Sequence, residues 1–238
     1  MKVLIFLPTY NEKENIGKLI DTLNKLNFTK EILIVDDNST DGTVRIINDK
    51  LKIYNNLTLI KRSGKKGRGL AGIMALKYFL QTDNDILIEM DADFSHHPKY
   101  IPLFLQLFPK YDVVIGSRLI EQGQEKGRNI LRILISSLAN KLIRILLGLK
   151  IKDCTSGFRA FKKEIIEKFN LDEFISINPE IVEEILYACK LSKANFKEIP
   201  IIYYERAGGV SKLNLKKILF VNIAIFKIKL RGKRIIKS

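Results

Sequence analysis

Ile86-Leu87-Ile88-Glu89-Met90-Asp91-Ala92-Asp93-Phe94-Ser95-His96-His97 is the stretch on which the reading of the fold turns. Ile86 to Met90, apart from Glu89, has the length and apolarity of a buried strand. The run then ends in two carboxylates, Asp91 and Asp93, one residue apart. In open α/β sheets, ligands bind at the carboxyl ends of the strands. Carboxylates placed there suit a hard divalent cation, Mg2+ or Mn2+, bridging protein to phosphate oxygens. Taken in isolation, an Asp-x-Asp also fits a solvated acidic turn ahead of a helix that starts near Pro98. The rest of the chain favours the site.

Working outward, strands and helices alternate through the first 117 residues. The spacing predicts strands over Val3–Leu7, Ile32–Val35, Leu57–Ile60, Ile86–Met90 and Val113–Ile115. Helices are predicted to run to about Leu26, over Thr43–Ile53, Leu70–Leu80 and Pro98–Phe108. Asn11, with Glu14 three residues on, has the pattern of a capping box opening the first helix. Such alternation predicts a mainly parallel sheet with helices on both faces.

The 238 residues suffice for one α/β domain with a full core. A hydrophobic content of 46% with 28% charged residues excludes a disordered chain. Cys154 and Cys189 have neither pairing nor metal spacing and read as packing residues in a reducing cytoplasm. The apolar start, Val3 to Leu7, is too short for a signal peptide. No stretch approaches the ~18 apolar residues of a membrane span. Lysine and arginine total 41 against 26 acids, a formal net charge of +15, which implies an anionic partner. Nucleic acid, an anionic membrane surface and phosphorylated substrates all qualify.

After Ser117 the pattern changes. Residues 128–149 form a long helical stretch whose polar positions (Asn129, Arg132, Ser136, Asn140, Arg144) recur every three or four residues between Leu and Ile. The wide apolar face fits burial in the core or, beside Arg128, Arg132, Lys141 and Arg144, a membrane interface. Residues 215–236 form a second such region, ending in Lys227, Lys229, Arg231, Lys233 and Arg234. The division expected is a catalytic domain over 1–212 followed by a basic amphipathic segment over 213–238 that is not an independent domain.

Four strand ends carry polar clusters: Pro8-Thr9-Tyr10-Asn11-Glu12; Val35-Asp36-Asp37-Asn38-Ser39-Thr40-Asp41-Gly42-Thr43; Asp91 with Asp93; and Gly116-Ser117-Arg118. Parallel strands would bring all four to one edge, a better description of a nucleotide site than of four ordinary turns. In this order, and with Ser95-His96-His97-Pro98, Ser156-Gly157-Phe158-Arg159 and Arg206-x-x-Gly-x-Ser-Lys212, they resemble family 2 glycosyltransferases of GT-A fold. The Ser-His-His-Pro extension and the late Gly-x-Ser-Lys element resemble the dolichyl/polyprenyl-phosphate mannose synthase branch. The resemblance runs from Lys2 to about Lys217.

The resemblance implies a metal-dependent, inverting transfer of mannose from GDP-mannose to a polyprenyl phosphate. Pro8, Tyr10, Glu12, Val35 and Asp37 would hold base and ribose. Asp91, Ala92 and Asp93 would line the donor site, with Asp91 and Asp93 binding the ion and Ser95 adding a metal or water contact. Arg118 and Arg132 would meet the acceptor phosphate, and Arg206 and Lys212 the leaving diphosphate. It also implies a peripheral protein at the cytoplasmic membrane face, reaching its lipid through amphipathic helices or a membrane partner subunit. Arg159 receives no role.

The residue inventory fits this chemistry. A departing diphosphate is stabilised by a divalent ion with Arg and Lys. A phosphate monoester, with a second pKa of about 6, is already an anionic nucleophile and needs cations rather than a base. Glu180, Glu183 and Glu184 read as a solvated helix face, the alternative being a general base. Gly64-Lys65-Lys66-Gly67-Arg68-Gly69 matches neither a dinucleotide fingerprint nor a P-loop and reads as a flexible basic loop near the donor phosphates. His96 and His97 read as turn residues or supports of a ligand. The rival readings are a UDP-glucose-dependent transferase, a transferase to a soluble or glycan acceptor, a nucleotidyltransferase, and a basic nucleic-acid-binding module. For the last, no zinc-finger, RNP or helix-turn-helix signature is present, so nucleic acid is not expected as a partner.

Overall fold

Within Val3–Thr9 (β1) alternate residues leave on opposite faces, as strand geometry requires. Val3, Ile5 and Leu7 enter one core, and Leu4 and Phe6 the other. The computed structural model describes residues 1–127, 129–205 and 215–237, and of residues 130–132 and 215–222 the backbone only.

After β1 the described elements are α1 (Ile16–Asn24), β2 (Lys30–Asp36), α2 (Thr43–Leu51), β3 (Leu57–Lys61), α3 (Arg68–Gln81) and β4 (Ile86–Glu89). A 3-10 turn at Pro98–Tyr100 leads into α4 (Ile101–Leu105) and β5 (Val113–Ser117). Then come β6 (Gln124–Lys126), α5 (Ile130–Leu147), β7 (Arg159–Lys162), α6 (Lys163–Ile166), α7 (Ile181–Leu191), β8 (Phe196–Pro200), β9 (Ile202–Tyr204) and α8 (Leu215–Arg231). The main sheet has the order β3-β2-β1-β4-β7-β5-β8. All its pairings are parallel except those of β7, which is antiparallel to both β4 and β5. Because β7 reverses twice, β4 and β5 still point the same way, and the polar ends of β1, β2, β4 and β5 share one edge. Strands β6 and β9 form a separate small parallel pair.

Helices α1, α2 and α4 cover one face through Ile16, Leu19, Ile20, Ile47 and Phe104. Helices α3 and α5 to α8 cover the other. The predicted α/β architecture with helices on both faces is thus present. The capping box is not. Asn11 has φ 57°, α1 begins only at Ile16, and the side chain of its N-terminal cap, Asn15, makes no capping bond. Asn11 instead accepts the Thr40 amide at 2.9 Å and donates its own amide to Ser39 Oγ at 2.8 Å, which ties the β1 end to the β2 end.

The glycine-rich stretch is anchored at its second half. The Gly69 amide donates to Ile177 O at 2.9 Å, and a Cβ on Gly69 would stand 2.7 Å from the Ile177 carbonyl carbon and closer still to Ser176 O. Alanine is the better helix former, yet Gly69→Ala is expected to destabilise the fold by about 1–3 kcal/mol through this overlap. The midpoint of urea unfolding measures it, and a midpoint at or above that of the wild type would refute the packing argument.

Candidate active site

Asp91 and Asp93 follow β4, where the chain leaves the sheet. The Ser95 amide and hydroxyl both donate to Asp93 Oδ1, at 3.0 and 2.6 Å, closing a tight turn with Phe94 at φ 61°. His96 is buried behind the turn, stacked on Phe158 with centroids 5.3 Å apart. Its Nδ1 accepts the Asp91 amide at 3.3 Å. Burial holds the imidazole below its usual pKa, against the pull of Asp91, so the ring is a neutral support. His97 accepts the Lys99 amide at the start of the 3-10 turn. The histidines are therefore turn residues and supports, as their sequence context predicts.

The predicted Pro8, Tyr10, Glu12, Val35, Asp37, Asp91, Ala92 and Asp93 all line one cleft of about 220 Å³, joined by Arg68 and Ala71 of α3. Tyr10 is half exposed, with the Lys66 ammonium 4.2 Å from its ring centroid. Asp36, next to Asp37, is structural: Thr9 Oγ1 donates to it at 2.8 Å and Ser39 Oγ at 2.6 Å. Asp37 faces the cleft, ion-paired to Arg62 and accepting the Gly67 amide at 2.8 Å. Ser95 belongs to a second, wider cleft that shares Tyr10, Glu12 and Asp93 with the first.

Beneath the carboxylates lies a charge cluster that the sequence reading missed. Glu89 is buried and ion-paired to the fully buried Arg159, directly opposite it across β4 and β7. Arg159 also donates to Val182 O at 2.6 Å. Arg68 Nη2 lies 3.0 Å from Asp91 Oδ1 and 3.4 Å from Glu89 Oε1. Burial alone would raise the Asp91 carboxyl, but the guanidinium charges of Arg68, Arg118 and Arg159 together outweigh it and hold the carboxyl below the usual carboxylate range. The one signal in sequence was the charge of Glu89 inside an apolar strand, which demands a partner.

Glu183 and Glu184 do not form a solvated face. Both are buried, because α7 is covered on nearly all sides. Glu184 accepts the Ile175 and Ser176 amides at 3.0 and 2.9 Å, fixing the loop that receives Gly69. Glu180, part-exposed, accepts the Asn178 amide at 3.1 Å. None of the three lines either cleft.

Arg118 is committed within the protein. Its Nε and Nη2 grip Asp153 at 2.8 and 2.7 Å, and Nη1 stands 3.3 Å from Glu125. Burial opposes its charge, but the hydrogen bond to Asp153 raises its pKa further. The Arg132 side chain, Arg206 and Lys212 lie outside the described residues. Among the described residues no three His, Cys, Asp or Glu side chains converge on a common metal position. Two aspartates on one wall, completed by diphosphate oxygens, still fit an Mg2+-type ion, which takes one or two carboxylates plus substrate phosphates.

A Rossmann-like sheet with paired aspartates at its carboxyl edge, facing a cleft lined by an aromatic and further acids, defines a glycosyltransferase of GT-A fold. Residues 4–169 match the model for glycosyl transferase family 2, and the chain belongs to that family. It is 31% identical over 224 residues to a polyprenol monophosphomannose synthase of Mycolicibacterium smegmatis, covering 92% of this chain and 84% of the relative. It is 32% identical over 214 residues to an undecaprenyl-phosphate mannosyltransferase of Micrococcus luteus, covering 90% and 88%. Solved structures share the fold. One is glucosyl-3-phosphoglycerate synthase of Mycobacterium tuberculosis with phosphoglyceric acid (TM-score 0.68, 17% identity, 100% of this chain and 81% of that one). Another is a Pyrobaculum calidifontis mannosyltransferase with GDP-Man and Mn2+ (TM-score 0.66, 18% identity, 97% and 64%).

Burial pushes the Glu183 carboxyl up to about 7 from an ordinary 4.5, against the pull of Arg159 and Arg68. A folded pKa above the unfolded one favours folding below about pH 4.5 and loses that advantage as pH rises through about 7. Glu183→Gln, which cannot ionise, is therefore expected to exceed the wild type in stability by about 2–3 kcal/mol at pH 8. The difference should shrink to nothing near pH 4.5. Unfolding titrations across that range check it, and a pH-independent difference would contradict it.

Proposed function

We propose that the chain transfers mannose from GDP-mannose to a polyprenyl or dolichyl phosphate, with inversion and with Mg2+ or Mn2+ in the site. The observation that carries this reading is the one cleft that Tyr10, Glu12 and Asp37 line together with Asp91 and Asp93. The names of the two mannosyl-transferring relatives support the sugar and the lipid acceptor.

Tyr10 offers a flat surface to a base, and Glu12 and Asp37 offer acceptors to ring N–H groups or ribose hydroxyls. Asp91 and Asp93 are the residues that would hold the ion, whose bound charge would stabilise the diphosphate as it leaves. Ser95 and His96 keep the two aspartates oriented. An acceptor phosphate oxygen attacks the anomeric carbon from the face opposite the leaving group. The sugar–oxygen bond breaks and its electron pair passes to the GDP diphosphate. A phosphate dianion brings no proton to remove, consistent with Glu180 and the two α7 glutamates standing away from the clefts. Arg118 and Arg132 are proposed to position the acceptor, Arg118 exchanging part of its hold on Asp153 and Glu125 for phosphate oxygens. Arg206 and Lys212 are proposed to meet the diphosphate.

Peripheral attachment to the cytoplasmic face of an anionic membrane belongs to this proposal. On α5, Leu134, Leu138, Leu142 and Ile145 are exposed at spacings of four, four and three, while Asn140, from the predicted polar stripe, is buried against Cys154 and Thr155. The helix thus buries Asn140 with Ile143 and Leu147 and leaves a second apolar face outward. On α8, packed beside it, Ile223, Phe226 and Leu230 are exposed, with Lys227 and Lys229 alongside. Among the described residues no helix is long and apolar enough to cross a membrane.

Calorimetric titration with Mn2+ present is expected to show GDP binding more tightly than UDP, and GDP-mannose should be the donor turned over. Asp91→Ala is expected to remove the metal-dependent part of that binding and to reduce transfer by at least about 100-fold, the scale of a lost electrostatic stabiliser. Preference for UDP, with turnover of UDP-glucose, would favour the rival transferase. Retention of metal-stimulated turnover in the variant would remove Asp91 from the site. In a separate measurement, Leu138→Asp with Phe226→Asp should abolish sedimentation with phosphatidylglycerol vesicles without altering binding of GDP. Undiminished sedimentation would reject the membrane face.

A further inference from the structure

We propose that Arg68 is a resident counter-cation that competes with the divalent ion for Asp91 and transfers to the donor diphosphate when nucleotide enters. The inference rests on the reading that Asp91 and Asp93 hold that ion.

Position comes first. Arg68 is the first residue of α3, a 14-residue helix whose N-terminus favours anions. The helix start is fixed by Gly67 and Gly69, which press on the carbonyls of Ile177 and Ser176, so the side chain is launched from a rigid base. It lines the same cleft as Asp91 and Asp93. Its path runs over Gly157, where a Cβ would stand 2.5 Å from Nη2. Glycine at 157 is what makes room for the guanidinium.

Charge comes next. Glu89 already has Arg159, opposite it in the sheet. The 3.4 Å approach of Arg68 to Glu89 is the looser of its two contacts, and the 3.0 Å approach to Asp91 the closer. Arg68 Nε is buried and has no hydrogen-bond partner among the described residues. The guanidinium is therefore incompletely satisfied in its present place, and a shift into the cleft would let a diphosphate accept from it. Once Arg68 shifts, Glu89 keeps Arg159, Asp91 takes the metal, and the diphosphate takes Arg68. Each anion then has one cation. Because one guanidinium is shared between the two sites, metal and nucleotide binding must favour one another reciprocally.

The test is calorimetric binding of Mn2+ with and without GDP, and of GDP without metal, to the whole chain. In Arg68→Met, Mn2+ should bind roughly tenfold more tightly without nucleotide, since a positive charge beside the ligand has gone. GDP without metal should bind roughly tenfold more weakly, and the mutual enhancement seen in the wild type should largely vanish. Gly157→Ala, whose Cβ would overlap Nη2, the atom that meets Asp91, should loosen that contact and tighten Mn2+ in the same direction while keeping the charge in the chain. Unchanged or weaker Mn2+ binding in both variants, with the wild-type signal abolished by Asp91→Ala, would overturn the role of Arg68 and leave the metal site standing. Absence of Mn2+ binding to the wild type even with GDP would remove the metal site and the inference with it.

Discussion

Glu89 and Arg159 face each other across β4 and β7 with almost no access to water. A lone charge at that depth would cost several kcal/mol, and breaking such a pair costs about as much. The pairing constrains everything around it. Strand β7 runs antiparallel between β4 and β5, in a register that sets Arg159 opposite Glu89 and Phe161 opposite Leu87. Helix α7 must pass close enough for Val182 to offer its carbonyl. The last turns of charge, Arg68 and Asp91, then sit on top of this pair at the mouth of the cleft.

From that base the site is assembled mainly by backbone. His96 and Ser95 set the orientation of Asp91 and Asp93, Glu184 holds the loop that pins α3, and Gly67 and Gly69 let that loop approach. The same edge gathers acids in a chain of net charge +15. Acids that cluster in a strongly basic protein need a function or a partner, and at this edge Asp36, Asp37 and Glu89 each have a cation or an amide donor. The second cleft, between the β1 loop and β9, opens beside Asp93.

Much of the cleft was legible from strand ends. Parallel β1, β2, β4 and β5 carry their terminal residues to one edge by topology, so Pro8, Tyr10, Glu12, Asp37, Asp91 and Asp93 could be grouped without coordinates. The strands β6 to β9 were not legible. They are three to five residues long, and Arg-Ala-Phe-Lys and Phe-Lys-Glu-Ile-Pro show no usable alternation. Arg159 was passed over because an arginine in a four-residue strand is ordinary until its opposite number is known. Glu183 and Glu184 read as surface because their type favours water, and only the helices around α7 show that water is excluded.

The amino-acid sequence by itself determined the α/β class, the two-faced sheet and the acidic pair at its rim, because period-two and period-3.6 patterns and strand-end chemistry are local properties of the chain. Tertiary structure decided which charges are buried together, that Arg118 is held by Asp153, and that α5 turns Asn140 inward beside Ile143 and Leu147 while Leu134, Leu138 and Leu142 stay outward. Those outcomes depend on which distant segments exclude water from a side chain, and a residue's own neighbours in sequence do not set that.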